Sequence, residues 1–276
     1  MIDLHTHTTA SDGSMTPSEL VLHAIENGIE AIAITDHDGI GGVNEAVNYG
    51  GLEVVPGIEL SVESDTETHI LGYYIDVDNP KLLAALGGIL EVRMQRNYEY
   101  SAKLKKLGFD VSVEEAAALA PNGLIARAHF AKVMAMKGYS KSVKDAFDDY
   151  LSNGKPAYSS LQYLTAEQGV ELIKAAGGVA YVAHLHLIHM EDEPLKRFIK
   201  KLMDYGLDGI EGYYTEYTPE HEFKYQKMAA DLGIKISGGT DFHGAMKPHI
   251  AIGRGYGNMN VPYDILKNIK EHYGKA

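Results

Sequence analysis

Short apolar runs alternate with amphipathic stretches along most of the chain, the pattern of successive strand and helix units around a parallel sheet. The runs predict strands at Ile2–His5, Ala31–Thr35, Glu53–Leu60, Thr68–Ile75, Val179–His184, Gly209–Tyr213 and Ile234–Gly238. Between many of them, apolar positions three and four apart predict helices such as Pro17–Asn27, Ala166–Ala176, Glu193–Tyr205 and Pro219–Leu232. The first helix has a strong start signal: Thr16 as N-cap, Pro17 at the first helical position and Glu19 at the third. Gly28, Gly206 and Gly233 follow three of the helices, where a left-handed residue closes the last turn.

The middle breaks this alternation. From about Pro80 to Pro156 the pattern is mainly helical, with little that reads as a buried strand. The expected organisation is therefore one α/β barrel, residues 1–99 and 159–276, carrying an inserted helical domain at 100–158. A barrel of about 250 residues commonly forms one domain, so the 276 residues here do not require two separate cores.

Composition narrows the chemistry. With 13 His and no Cys, a transition-metal centre must use nitrogen and oxygen donors, and no disulfide framework exists. A formal net charge of -13 argues against a surface that holds long nucleic acid by neutralising phosphates. The start, Met1-Ile2-Asp3, shows neither a basic leader nor a long apolar run, so a cytoplasmic protein with no membrane partner is expected.

Candidate ligands gather where strands end. His5 and His7 stand two apart on a strand and so share a face, and Asp12 follows in a Ser-Asp-Gly turn. Further along, Ala31–Thr35 runs into Asp36-His37-Asp38, Val54–Ile58 into Glu59, Val179–Ala183 into His184, and Ile234–Thr240 into Asp241-Phe242-His243. Any one of these residues alone reads as a cap or a turn residue. Together they form a polar cluster that costs too much to bury unless something satisfies it, and a metal cluster does.

These segments resemble the PHP domain (polymerase and histidinol phosphatase) family, through Asp3-Leu4-His5-Thr6-His7, Thr35-Asp36-His37-Asp38, Pro56-Gly57-Ile58-Glu59, His69-Ile70-Leu71-Gly72-Tyr73, Ala183-His184 and Thr240-Asp241-Phe242-His243. The resemblance spans nearly the whole chain and implies a distorted seven-stranded βα barrel with two or three divalent ions (Mn, Fe or Zn) at its rim. By that pattern His5, His7, Glu59 and Asp241 hold the first metal; Glu59, His69 and His184 the second; and Asp12, His37 and His243 the third. It implies a phosphoesterase acting on small nucleotides, nucleoside 3′,5′-bisphosphates and short oligoribonucleotides, with a metal-activated water rather than a side chain as nucleophile. The alternative is a histidinol-phosphate-type phosphatase or another metal-dependent hydrolase of the amidohydrolase kind.

Several positions stay open between two readings. Arg93, Arg96 and Asn97 share one helix face that either clamps phosphate or is simply solvated; relatives carry a similar Arg-x-x-Arg-Asn segment toward the metals. Arg127 resembles a phosphate-reaching arginine, although alanines at 126 and 128 depart from the usual Gly-Arg-Pro-His, and His129 is a substrate contact or a structural residue. His186 competes with His184 through a two-residue slip. Asp36 and Asp38 either orient a histidine or cap a turn, and Tyr213–Tyr217 either stack a base or pack the rim.

Overall fold

The structure is a computed structural model describing residues 1–64, 66–120, 125–159 and 164–274. Two compact units result: residues 1–86 with 164–276, and residues 87–163. These divisions differ from the 99/100 and 158/159 boundaries expected above; the first falls within one continuous helix.

The first unit carries seven strands, β1 Ile2–Thr6, β2 Ala31–Ile34, β3 Glu53–Ser61, β4 His69–Tyr73, β5 Val179–Val182, β6 Gly209–Tyr214 and β7 Lys235–Gly239, in one sheet whose spatial order is the chain order. Phe242, just past β7, exchanges backbone hydrogen bonds with His5 and His7, nearly closing the sheet into a barrel. Helices α1 Pro17–Glu26, α2 Val43–Tyr49, α7 Ala166–Ala175, α8 Asp192–Met203, α9 Pro219–Leu232 and α10 Tyr263–Tyr273 accompany the strands. The start of α1 is as expected: Thr16 accepts from the Glu19 N–H, and Glu19 accepts from the Thr16 N–H.

β1, β2 and β5 are buried along their whole length on both faces, as helix-covered sheets require. Ala31 and Ala33 join a core with Ile2, Leu4, Leu71, Tyr181 and Leu266, while the alternate residues Ile32 and Ile34 pack with Leu20, Val21 and Ala24 of α1. Each wholly buried Leu or Ile contributes about 1.5–3 kcal/mol.

The sheet is not wholly parallel. Residues 53–56 of β3 run parallel to β2, whereas 57–61 pair with β4, and β4 is antiparallel to both β3 and β5. The expectation of a parallel sheet fails here because residues 62–68 are too few for a helical crossover and allow only a reversal. That reversal places the first residue of β4, His69, at the same rim as the last residues of its neighbours; Ala183 donates to the His69 carbonyl at 3.1 Å.

The second unit takes in most of the 27-residue α3 Pro80–Lys106, then α4 Val113–Ala117, α5 Arg127–Met136, α6 Val143–Ala146 and a helical turn at Phe147–Leu151. Its core is built from Tyr100, Leu104, Phe130, Met134, Ala146 and Leu151. Among the described residues no strand lies between 80 and 156.

Candidate metal centre

Glu59 is the hub. Buried near the end of β3, it places Oε2 3.3 Å from His5 Nε2, 3.3 Å from His7 Nε2 and 3.0 Å from His37 Nδ1. Its Oε1 lies 2.8 Å from His69 Nδ1 and 3.1 Å from His184 Nε2. Asp241 Oδ1 stands 3.0 Å from His7 Nε2 and 3.6 Å from His5 Nε2, and Asp12 Oδ1 is 3.2 Å from His243 Nε2. Thus all nine residues expected as ligands are brought together in overlapping groups: His5, His7, Glu59 and Asp241; His7, Asp12, His37 and His243; His37, Glu59 and His69; and Glu67, His69 and His184. Within each group the ligand atoms lie within 4.8 Å of one another.

Glu67 was not anticipated. Its exposed carboxylate stands beside His69 and His184, and a lone Glu in a Glu-Thr-His run carries no distinguishing sequence signal. His186, by contrast, lies outside these groups: its Nε2 pairs with Glu216 at 3.0 Å.

The local backbone is built to aim these side chains. Asp38, His184 and Asp241 have φ of 48°, 25° and 56°, a region non-glycine residues enter at a cost and mostly at functional turns. Gly239 lets β7 approach β1, since a Cβ there would stand 2.3 Å from the His5 nitrogen. Asp36 does not orient a histidine. It accepts from the Thr8 N–H at 2.8 Å and from the Thr8 and Ser11 hydroxyls at 2.7 and 2.6 Å, fixing the loop that presents Asp12. Asp3 does the same for the loop after β7, accepting from Thr240 and from the Gly253 N–H. Asp38 accepts from the Ser61 N–H at 2.7 Å.

On Asp241 the two oxygens divide their roles. Oδ2 accepts from Lys247 Nζ at 2.6 Å and from the Tyr214 hydroxyl at 3.0 Å, leaving Oδ1 toward the histidines. The tyrosines at the end of β6 and just beyond it are packed rim: Tyr214 meets Tyr217 with ring centres 5.5 Å apart, and Tyr217 meets Tyr225 at 4.9 Å.

Charge in the cluster is balanced by proximity. Burial would push the Glu59 carboxyl up, yet His37, His5 and His69 hold it well below the usual carboxylate range. Burial likewise opposes ionisation of Asp241, but Lys247, His243 and His5 hold it down. Burial works against a charged His5, and Glu59, Glu211 and Asp241 overcome it, raising its pKa well above that of an ordinary histidine. Several buried atoms nevertheless have no hydrogen-bond partner among the described residues: His5 Nε2, both ring nitrogens of His7 and Glu59 Oε2. Buried polar atoms left so, converging from distant segments, fit a divalent cation with mixed nitrogen and oxygen donors.

The expected substrate contacts all fall within residues 87–163. Arg93, Arg96 and Asn97 are buried on α3. Arg127 opens α5, its guanidinium 5.6 Å from the centre of the Tyr158 ring, and His129 Nδ1 accepts from the Ala126 N–H at 2.9 Å, capping that helix.

Comparison with known proteins agrees with the geometry. The model of the PHP domain matches residues 3–273. The chain is 34% identical over 258 residues to the 5′-3′ exoribonuclease Rnm of Escherichia coli (strain K12), covering 91% of this chain and 88% of that protein. It is 34% identical over 247 residues to the 3′,5′-nucleoside bisphosphate phosphatase of Chromobacterium violaceum, covering 88% and 87%. A solved structure from Bifidobacterium adolescentis, assigned as a metal-dependent phosphoesterase, superposes with a TM-score of 0.84 at 27% identity, covering 97% and 94% of the two chains.

Proposed function

The chain belongs to the PHP domain family, and from that membership we propose a metal-dependent hydrolase of phosphate esters in small nucleotides, with nucleoside 3′,5′-bisphosphates and short oligoribonucleotides as its substrates. The observation that carries this reading is Glu59, one buried carboxylate whose two oxygens face five histidines. His5, His7, Glu59 and Asp241 would hold one divalent ion; Glu59, His69 and His184 a second; Asp12, His37 and His243 a third. Mn, Fe and Zn all suit such donors. Divalent ions so placed lower the pKa of water and neutralise charge developing on a phosphoryl group.

The chain's own residues supply the rest. Asp12, Glu59 and Asp241, held ionised, bring three negative charges against about six positive from three divalent ions, so the rim stays electropositive inside an acidic protein. That local excess is what draws in an anion. Arg93, Arg96 and Arg127 are the forked donors for a second phosphate or the next phosphodiester, with Asn97 and His129 as polar contacts. Arg127 supports this role by its placement. A cation in the first turn of α5 opposes the helix dipole, and Ala126 brings no side-chain oxygen to the first-turn N–H groups, so the spot is favourable for an anion. The helical insertion, expected at 100–158 between barrel segments 1–99 and 159–276, together with the arginine face of α3, is thus the part of the chain we assign to substrate binding.

The test is a substrate panel on protein of known metal content. Release of phosphate from a nucleoside 3′,5′-bisphosphate or nucleotides from a short oligoribonucleotide, lost together with metal in His5→Ala, is expected. Fewer than about two bound equivalents, or a loaded enzyme inert to both substrates yet active on amides or histidinol phosphate, would sink the proposal.

A further inference from the structure

One wholly buried carboxylate outside the nine-residue set has both oxygens committed to it. Glu211, in β6, has no solvent exposure. Its Oε1 lies 3.1 Å from His5 Nδ1, and its Oε2 accepts the backbone N–H of His184 at 2.6 Å. The other nitrogen of His5, Nε2, faces Glu59 and Asp241. His184 sits at φ 25° and ψ 60°, a strained turn that needs its N–H anchored. The next residue is fixed from the same strand end: the Leu185 N–H donates to the Tyr217 hydroxyl at 2.9 Å, and that hydroxyl donates to the Glu211 carbonyl at 3.2 Å. Asp36 serves one loop, and Asp3 ties the His5 backbone N–H to the loop after β7; the side chain of Glu211 reaches residues assigned to two different metals.

We propose that Glu211 is the positioning residue that couples the first and second metal positions, by keeping the His5 proton on Nδ1 and by anchoring the turn that aims His184. This rests on the metal-centre reading above. With Oε2 taken by the His184 N–H, Oε1 is placed to accept from His5 Nδ1, and a proton on that nitrogen leaves Nε2 as a lone pair for metal.

An amide at 211 cannot do both. The His184 N–H is a fixed donor and claims the single carbonyl oxygen of a glutamine, which turns the NH2 toward His5 Nδ1. His5 must then accept at Nδ1 and carry its proton on Nε2, the nitrogen that faces Glu59. Glu211→Gln is therefore expected to weaken the first position alone, and Glu211→Ala the first and second together, each by about 10- to 100-fold in metal affinity.

Zn²⁺ titration with equivalents counted after dialysis, on wild type and both variants, gives the direct answer, with circular dichroism to verify folding. Stepwise loss, one tight site in Glu211→Gln and two in Glu211→Ala, supports the coupling. Wild-type stoichiometry and affinity in both variants overturn it while leaving the metal centre intact, whereas wild-type protein that takes up no Zn²⁺ overturns the metal reading itself. Where a variant does not fold, ¹⁵N-histidine NMR of the Zn²⁺-loaded wild type decides. His5 protonated at Nδ1 and metallated at Nε2 is expected, and the reverse tautomer overturns the proposal.

Discussion

The barrel unit and the unit at 87–163 both bury polar side chains, but they recruit them over different distances in the chain. In the barrel, the side chains of the overlapping groups around Glu59 come from His5 through His243, so the cluster exists only when β1 and the segment after β7 are both in place. In the helical unit, the candidate phosphate contacts come from α3 and the first turn of α5 alone, beside a core of Tyr100, Leu104 and Phe130. A site assembled from the whole fold can hold fixed, high charge; a site on two helices can vary its partners without disturbing that charge. The first suits the reaction, the second the choice of substrate.

The comparison breaks most easily at Glu59. Glu59→Ala removes the carboxylate that faces five histidines, and loss of metal with a fall in turnover of about 10³-fold or more is expected. Metal analysis beside steady-state kinetics checks it; retained metal would show that the rim does not depend on its hub. The counterpart in the helical unit is Phe130→Ala. Phe130 is wholly buried with its ring edge-on to Tyr100 at 5.6 Å, so the change should cost that unit about 3–5 kcal/mol. Hydrogen exchange should rise across 87–163 while bound metal stays at the wild-type level. Metal lost in step with this core would end the division of roles.

Much of this division was legible in the sequence, for identifiable reasons. All seven strands were visible as apolar runs because most of their positions are buried, and eight of the nine clustered residues end such runs or follow them in short turns. The ninth, His69, begins a strand, and its place at the rim follows only from the reversal of β4. Alternation carries no strand direction, although the seven residues at 62–68 were too few for a crossover. Glu211 was invisible because its partner His5 is 206 residues away, and Lys247 because a lysine in a loop is ordinarily solvated. His129 was ambiguous between contact and structure; the hydrogen bond to the Ala126 N–H gives it a capping task that Ala-Arg-Ala-His does not advertise.

A subtler separation is expected from the arginines. Arg93→Ala and Arg127→Ala should each raise KM by about 10- to 100-fold, the scale of a charge-assisted hydrogen bond to phosphate, with kcat changed only a few-fold and metal content unaltered. Lysine at either position should recover part of the loss, since it restores charge but not the paired geometry. An equal fall in kcat would place these residues with the reaction instead.

The smallest effect tests whether the two units are separable at all, because each contains the same local device. Thr16 and Glu19 form a capping box at α1 in the barrel, and Ser112 and Glu115 form one at α4 in the helical unit. Thr16→Ala and Ser112→Ala remove equivalent hydrogen bonds, worth about 1 kcal/mol each. If the units open independently, Thr16→Ala speeds exchange in the barrel strands and leaves α4 and α5 protected, while Ser112→Ala does the reverse. Such a difference comes from where the cap sits, since the bond broken is the same. Exchange that rises equally in both units for either variant would mean that they unfold as one, and the helical unit could then no longer be treated as a module that alters binding without touching the rim.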